Sequence, residues 1–148
     1  MNSFITDISK VIFRDLDMLE KEISLYPTTE TIWIIKHEIK NSTGNLALHL
    51  CGNLQHYIGA ILGGSGYVRN REKEFSLKGI SPKDLVSEII RTKDALKSAF
   101  PKIDKLVLEK DYPENVFKDP VTTQYFLIHL SAHLGYHLGQ INYHRRLT

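Results

Sequence analysis

Histidines recur at helical spacing near the C-terminal end of the chain. Residues 121–148 read VTTQYFLIHLSAHLGYHLGQINYHRRLT, which places histidines at positions 129, 133, 137 and 144. Steps of four, four and seven residues keep these side chains on one side of an α-helix. The Cβ atoms of His133 and His137 would lie about 5 to 6 Å apart, so both imidazoles could bind one metal ion. The row therefore predicts half of a metal site.

A second stretch without charged residues predicts the other half. Residues 41–68 and 121–144 contain no Asp, Glu, Lys or Arg, although 24% of the chain is charged, and they hold six of the seven histidines. Only His37 lies outside them. Long uncharged helices are normally buried, and buried histidines need polar partners. We expect two buried helices to face each other across an interior polar site.

Three imidazoles are predicted to bind the ion: His133 and His137 from the C-terminal helix, and His49 from the other. Bundle cores build sites from side chains on facing helices, and an ion with three protein ligands keeps a position for water or substrate. Such an ion can lower the pKa of a bound water or thiol. The HxxxH spacing is that of a metalloprotease helix, but Leu134 stands where the general-base glutamate would be, so peptide hydrolysis is not expected.

Other polar residues are expected around the three ligands. Asn45, Asn53 and His56 share the polar stripe of His49 and are predicted to fix imidazole tautomers by hydrogen bonds. His129 is expected to be a packing or rim residue of the pocket. A purely structural role remains the alternative for each residue, since a buried histidine is often a core residue whose hydrogen bonds are made within the protein. Likewise the charged run 69–74 is by default a solvated loop, and Cys51 is expected in the core.

Four helices must position these residues, at about 3–26, 41–62, 81–100 and 119–148. Ser3 is the expected cap of the first helix, one of residues 41–43 caps the second, and the pairs Ser81-Pro82 and Asp119-Pro120 are typical helix starts. Residues 28–40 are expected to be irregular or a short extended piece packed by Trp33, and 63–79 and 102–119 are expected to be connections. The predicted fold is an all-α four-helix bundle that forms a single domain, 1–148.

Composition excludes some classes of function. The net charge is +2, with Lys and Arg spread along the chain, so no nucleic-acid partner is expected. Polar residues interrupt both uncharged stretches, which argues against membrane spans. The single cysteine suits a reducing compartment and the N-terminus lacks a signal-peptide pattern, so a cytoplasmic location is expected.

Three segments together resemble the DinB-like superfamily, in a branch largely described as being of unknown function. They are NSTGNLALHLCGNLQHYI at 41–58, RNREKEF at 69–75 and HLSAHLGYHLGQI at 129–141. The resemblance covers nearly the whole chain. It implies a four-helix bundle with a long crossover, homodimers, and a zinc or nickel ion held by His49, His133 and His137, with Gln140 completing the motif.

Two functions follow as hypotheses. Some members of the superfamily are thiol-dependent transferases or isomerases, which implies a metal-dependent transferase that binds a low-molecular-weight thiol as its thiolate. Arg69 or Arg71 could then steer an anionic thiol towards the site. The alternative is a non-catalytic, dimer-forming metal-binding protein in which the ion stabilises the bundle.

Overall fold

Helices build the whole architecture. The computed structural model describes residues 1–148 and contains no strand. The helices are α1 (Ser3–Ser24), α2 (Thr29–Ile32), α3 (Thr43–Leu54), α4 (Arg71–Ser76), α5 (Pro82–Ala99), α6 (Lys105–Glu109) and α7 (Thr123–Leu147). The prediction of an all-α helical bundle is confirmed.

The four long helices enclose one hydrophobic core. α1 packs against α5 and α7, and α3 packs against the same two helices. α3 and α5 run parallel, because Gln55, just after α3, binds Glu88, and Gly59, in the π-helical turn that continues α3, faces Ala95 farther along α5. α3 and α7 run antiparallel, because Tyr57 packs on Phe126 while His49 contacts His137.

The parallel pair of α3 and α5 requires a long crossover. After α3 ends, the chain has to return along the length of the bundle before α5 can begin in the same direction. Residues 61–81 make this return, and they pass along α3 with Arg69 over the Tyr57 ring, Glu74 against Gly52 and Leu77 bonded to Asn45. The expected long crossover is therefore present, and it carries α4 past the middle of α3.

Side-chain caps set where the long helices begin. Ser42 and Ser81 cap α3 and α5, and Pro82 opens α5, as expected. Asn2, rather than Ser3, caps α1. The predicted start of α7 at Asp119-Pro120 is wrong, because the chain stays extended until Thr122. This extended segment pairs with residues 110–112: Tyr112 N–H donates to Val121 O and Thr123 N–H donates to Lys110 O. Thr122 then caps α7.

Each predicted connection contains a short helix that the sequence interpretation missed. α2 is capped by Thr28, α4 by Asn70 and α6 by Asp104, whose side chains accept backbone N–H groups of the first turn. Trp33 does pack as expected, since its ring lies against Gly44 and its indole N–H donates to Ile80 O. α3 continues into a π-helical turn at Gln55–Ala60.

Burial differs between the two uncharged helices. α3 is buried over nearly its whole length, as predicted. α7 instead has an exposed, uncharged face, with Tyr136 and Tyr143 exposed by 66% and 67%. The expectation that lack of charge means burial is therefore wrong for this face. None of the helices combines the length and the apolar character needed to cross a membrane.

A buried hydrogen-bond network joins α1, α3 and α7. The Tyr26 hydroxyl lies 2.6 Å from Thr43 Oγ1 and 2.6 Å from His144 Nδ1, and His144 Nε2 lies 2.9 Å from Ile34 O. Burial raises the pKa of Tyr26 to about 12, so the hydroxyl keeps its proton. His144 Nε2–H therefore donates to Ile34, Tyr26 donates to His144, and Thr43 donates to Tyr26.

We expect Tyr26→Phe to lower the free energy of unfolding by about 1 to 3 kcal/mol, because it leaves buried groups of Thr43 and His144 without partners. Urea denaturation measures this change. Tyr143→Phe removes a hydroxyl from an exposed side chain of α7 and should change stability by less than about 0.5 kcal/mol. Equal changes in the two variants would contradict the assigned network.

Candidate metal centre

Three imidazoles converge where α3 faces α7. His133 Nε2 lies 3.2 Å from His49 Nε2 and 3.2 Å from His137 Nε2. One ligand atom from each of the three residues lies within 4.8 Å of the other two. The structure thus brings together the three histidines that the sequence singled out as ligands, and this cluster could hold a metal ion.

The spacing of the nitrogens fits a small divalent ion. Nitrogens bound at 2.0 to 2.1 Å on a tetrahedral ion lie about 3.3 Å from each other. The two Nε2 to Nε2 distances from His133, each 3.2 Å, are close to this value. The chemistry of the donor set also fits, because neutral imidazole is a common ligand of zinc, nickel and copper.

Hydrogen bonds on the outer side of two rings determine which nitrogen can bind an ion. His49 Nδ1 lies 3.1 Å from Glu74 Oε1, and His137 Nδ1 lies 2.7 Å from Gln140 Oε1. An oxygen acceptor requires the proton to be on Nδ1 in each ring, which leaves Nε2 as a lone pair. His49 and His137 therefore turn lone pairs, rather than protons, towards the centre of the cluster.

The third ring is held without such a partner. His133 Nδ1 and Asn53 Oδ1 are the two buried side-chain polar atoms that lack a hydrogen-bond partner. The His133 Nδ1 atom can carry a proton and act as a donor, whereas the Asn53 Oδ1 atom is an acceptor, so the two have complementary hydrogen-bonding roles. Buried polar groups without a protein partner are uncommon, and both of these groups lie in the histidine cluster or on the helix that carries His49.

His133 and His137 are held in the neutral form at physiological pH. Burial, together with the neighbouring His137 and His49, lowers the pKa of His133 to about 4. Burial also lowers the pKa of His137, although its hydrogen bond to Gln140 opposes this effect. Metal binding requires deprotonated imidazoles, so these two ligands are already in the form that binds an ion.

Glu74 contacts the cluster through His49, and the sequence interpretation did not predict this contact. It lies on α4 and is 5% exposed. Arg69 donates to both of its carboxylate oxygens at 2.9 Å, Nε to Oε2 and an η-nitrogen to Oε1. Burial alone would raise the pKa of Glu74, but hydrogen bonds from His49 and Arg69 outweigh burial and hold the pKa below its usual range. Glu74 is thus a buried carboxylate.

Gly52 makes room for this carboxylate. A Cβ atom added at Gly52 would lie 1.9 Å from Glu74 Oε2, which is closer than any real contact. Glycine in the middle of a helix costs about 0.5 to 1 kcal/mol relative to alanine. A glycine inside α3 was the sequence signal for this close approach, whereas the run 69–74 itself resembled a solvated loop.

The predicted surrounding residues fall into different places. Asn45 contacts no imidazole of the cluster and instead donates to Glu74 O and Leu77 O. His56 binds Glu114 at 3.0 Å, so the predicted role in fixing tautomers is wrong for both residues. His129 is a packing residue, with its ring stacked on Phe126. Gln140 contacts His137, as described above.

The two arginines of the crossover are already engaged with other side chains. The side chain of Arg69 is 11% exposed and its guanidinium is paired with Glu74. The guanidinium of Arg71 lies 5.1 Å from the centre of the Phe75 ring. The expected steering of an anionic thiol by Arg69 is therefore not supported, because its charge is already matched by a buried carboxylate.

A cavity of about 1050 Å³ opens beside the cluster. His137 and Gln140 form part of its wall, so one of the three clustered imidazoles lies at the edge of the cavity. Apolar and aromatic side chains form another part, and polar groups stand around it; the lining residues are His37, Glu38, Ile39, Lys40, Asn41, Thr43, Leu46, Tyr136, His137, Gln140, Tyr143, His144 and Leu147. The volume is at the upper end for sites that bind small molecules.

Fold and site together define a helical-bundle protein with a candidate three-histidine metal centre. The chain belongs to the family described as "Protein of unknown function (DUF1572)", whose family model matches residues 1–147. This family lies within the DinB-like superfamily, so the resemblance is confirmed at that level. Searches among curated proteins and among solved structures gave no significant match. The homodimer and the cytoplasmic location stay predictions.

Acidification should destabilise the metal-free protein through His133. In the unfolded chain a histidine takes up a proton near pH 6.5, whereas His133 in the folded protein does so only near pH 4. Between these values the unfolded state binds more protons, so the free energy of unfolding should fall as pH decreases from about 6.5 to 4. His133→Gln should give a flatter dependence in urea denaturation at a series of pH values.

The matched control for this experiment is His37→Asn. His37 is exposed outside the cluster and has a φ of 55°, a left-handed conformation that asparagine tolerates. This variant should keep the slope of the wild-type protein. The same slope in the wild-type protein and His133→Gln would contradict the assignment.

Proposed function

We propose that this protein binds a divalent metal ion through His49, His133 and His137 and acts as a metal-dependent thiol transferase. The observation that carries the proposal is the convergence of three imidazoles, with His133 Nε2 3.2 Å from both His49 Nε2 and His137 Nε2. Hydrogen bonds on the far side of the His49 and His137 rings leave the Nε2 atoms of these two residues as lone pairs. Zinc and nickel are the proposed ions, because the resemblance to the DinB-like superfamily implies them and both are common partners of imidazole.

The position of the cavity supports a reactive centre. Three protein ligands leave room for another group on the ion, which is typical of catalytic rather than structural sites. His137 belongs both to the cluster and to the cavity wall, so a small molecule in the cavity would lie against one of the three proposed ligands. When bound, a divalent ion supplies a Lewis acid that lowers the pKa of a coordinated thiol or water.

The cavity wall suits a substrate with an apolar body and a polar end. Leu46, Tyr136 and Leu147 offer apolar surface, while Gln140 and Lys40 offer hydrogen-bond donors. In a transfer of the proposed class, the thiol sulfur forms a bond to an electrophilic atom, its proton passes to solvent, and the leaving group departs with the bonding electron pair. No general-base carboxylate is needed beside the cluster for this chemistry, which agrees with Leu134 between the two histidine ligands.

A structural ion is the second candidate function. The three ligands join α3 to α7, which are distant in sequence, so an ion would crosslink two walls of the bundle. Ligands that bind only the folded state stabilise it by mass action. This function predicts that an ion raises the melting temperature while no thiol perturbs the site. The cavity beside His137 favours the transferase instead.

Metal binding can be measured by titration of the metal-free protein with zinc or nickel, together with elemental analysis. We expect one ion per chain. We also expect His49→Ala, His133→Ala and His137→Ala each to weaken binding by more than about 100-fold, because losing a residue that only hydrogen-bonds to a ligand typically costs up to about 100-fold. His129→Ala, which alters the next histidine on the same helix face, should keep the affinity of the wild-type protein. Tight binding in all three ligand variants would exclude this site.

Thiol binding can be followed in cobalt-substituted protein. Addition of low-molecular-weight thiols should create a sulfur-to-metal charge-transfer absorption, because a thiol bound to a divalent ion loses its proton. S-methylated forms of the same thiols are the control and should give no such absorption. An unchanged spectrum with every thiol, in protein shown to hold cobalt, would leave the structural ion as the function.

A further inference from the structure

We propose that Glu74 is a positioning residue for the metal centre, which holds His49 as its Nδ1–H tautomer so that Nε2 faces the ion. Arg69 and Gly52 complete this arrangement, which we call the Glu74 clamp. The proposal rests on the proposed metal binding and adds the residue that prepares one ligand for it. Nothing in the sequence motif of histidines requires a carboxylate at this place.

The contacts of Glu74 leave it little freedom to move. One carboxylate oxygen, Oε1, lies 3.1 Å from His49 Nδ1 and 2.9 Å from an Arg69 nitrogen, and the other, Oε2, lies 2.9 Å from Arg69 Nε. Paired hydrogen bonds from a planar guanidinium fix the orientation of a carboxylate as well as its position. The oxygen facing His49 is therefore an acceptor in a fixed place.

The backbone that carries Glu74 is tied to the helix that carries His49. Asn45 Nδ2 donates at 2.9 Å to Glu74 O and at 2.9 Å to Leu77 O, so Asn45 holds the end of α4 against α3. Gly52, one turn beyond His49 on α3, leaves the space that the carboxylate fills. One face of α3 thus binds Glu74, through contacts with Asn45, His49 and Gly52.

The clamp also determines the charge that the cluster faces. An Arg69 nitrogen lies 3.4 Å from His49 Nδ1, so without Glu74 a guanidinium would stand next to a ligand of a cation. With Glu74 in place, the positive charge of Arg69 is matched and His49 donates its proton to an anion. Carboxylate partners of this kind raise the basicity of a metal-binding imidazole and fix its ring. The partner of His137, Gln140, is neutral and exposed, so it offers only part of this effect.

The first experiment compares zinc affinity in the wild-type protein, Glu74→Gln and Glu22→Gln. Glu22 is a matched control, because its carboxylate also binds an arginine, Arg145, and an amide, Asn142, but lies on α1 away from the cluster. We expect Glu74→Gln to weaken zinc binding by about 10- to 100-fold and Glu22→Gln to leave it unchanged. Equal affinity in the wild-type protein and Glu74→Gln would overturn the proposal.

The second experiment needs no metal. Long-range ¹H–¹⁵N spectra of the histidine rings identify which nitrogen carries the proton. In the metal-free wild-type protein His49 should carry it on Nδ1, and in Glu74→Gln this tautomer should be reduced or lost. Gly52→Ala should have the same effect on His49, because the added methyl group displaces the carboxylate without removing it.

These measurements separate the clamp from the proposed function. A wild-type protein that binds no zinc but holds His49 as the Nδ1–H tautomer would refute the metal function while the clamp stands. A protein that binds zinc, with His49 protonated on Nε2 in its metal-free form, would refute the clamp alone. If Glu74→Gln lowers only the melting temperature and changes neither zinc affinity nor the tautomer, Glu74 is a structural residue and the proposal is wrong.

Discussion

The contact between His49 on α3 and His133 and His137 on α7 is the interaction on which the rest of the site depends. Three closely spaced imidazoles, two of which turn Nε2 lone pairs towards the centre, gain little from the contact itself, so the surrounding structure must hold them there. The apolar faces of both helices supply that support, since Leu50 and Leu134, next to the ligands in sequence, are fully buried in the core. Hydrophobic packing thus holds together polar groups that would otherwise prefer water.

Topology explains why a carboxylate lies behind His49. Two neighbouring parallel helices, α3 and α5, cannot be joined by a short turn, so the connection must travel back along the bundle. That return path runs over α3 and delivers Arg69 and Glu74 to the outer side of His49. In an up-down bundle with short loops, the same histidines would have no segment at that position.

Periodicity and composition were sufficient to predict the helical bundle and the meeting of the three histidines. The spacing of four residues on α7 and the polar stripe on α3 are local features of the sequence. Both predict correctly which side chains share a helix face, because both segments form long helices. Asn45 and His56 were misjudged because spacing gives the face of a helix but not the element packed on it; α4 and Glu114 occupy those places. Glu74 was missed because a charged run is normally solvated, and its burial depends on long-range contacts with Arg69, His49 and Gly52.

Several locally unfavourable features coincide at this one place in the bundle. α3 contains a glycine where alanine would be the better helix former, His133 is held neutral with its pKa far below the ordinary value, and its Nδ1 has no partner. Each feature lowers the stability of the folded chain, yet all of them lie in the three clustered imidazoles or directly behind His49. In most of a protein, helix propensity, core packing and hydrogen bonding all favour the same fold, and the exceptions concentrate at functional sites. An incidental group of core histidines would not need the glycine, the buried carboxylate and the matched arginine, whereas a centre that binds a cation uses all three.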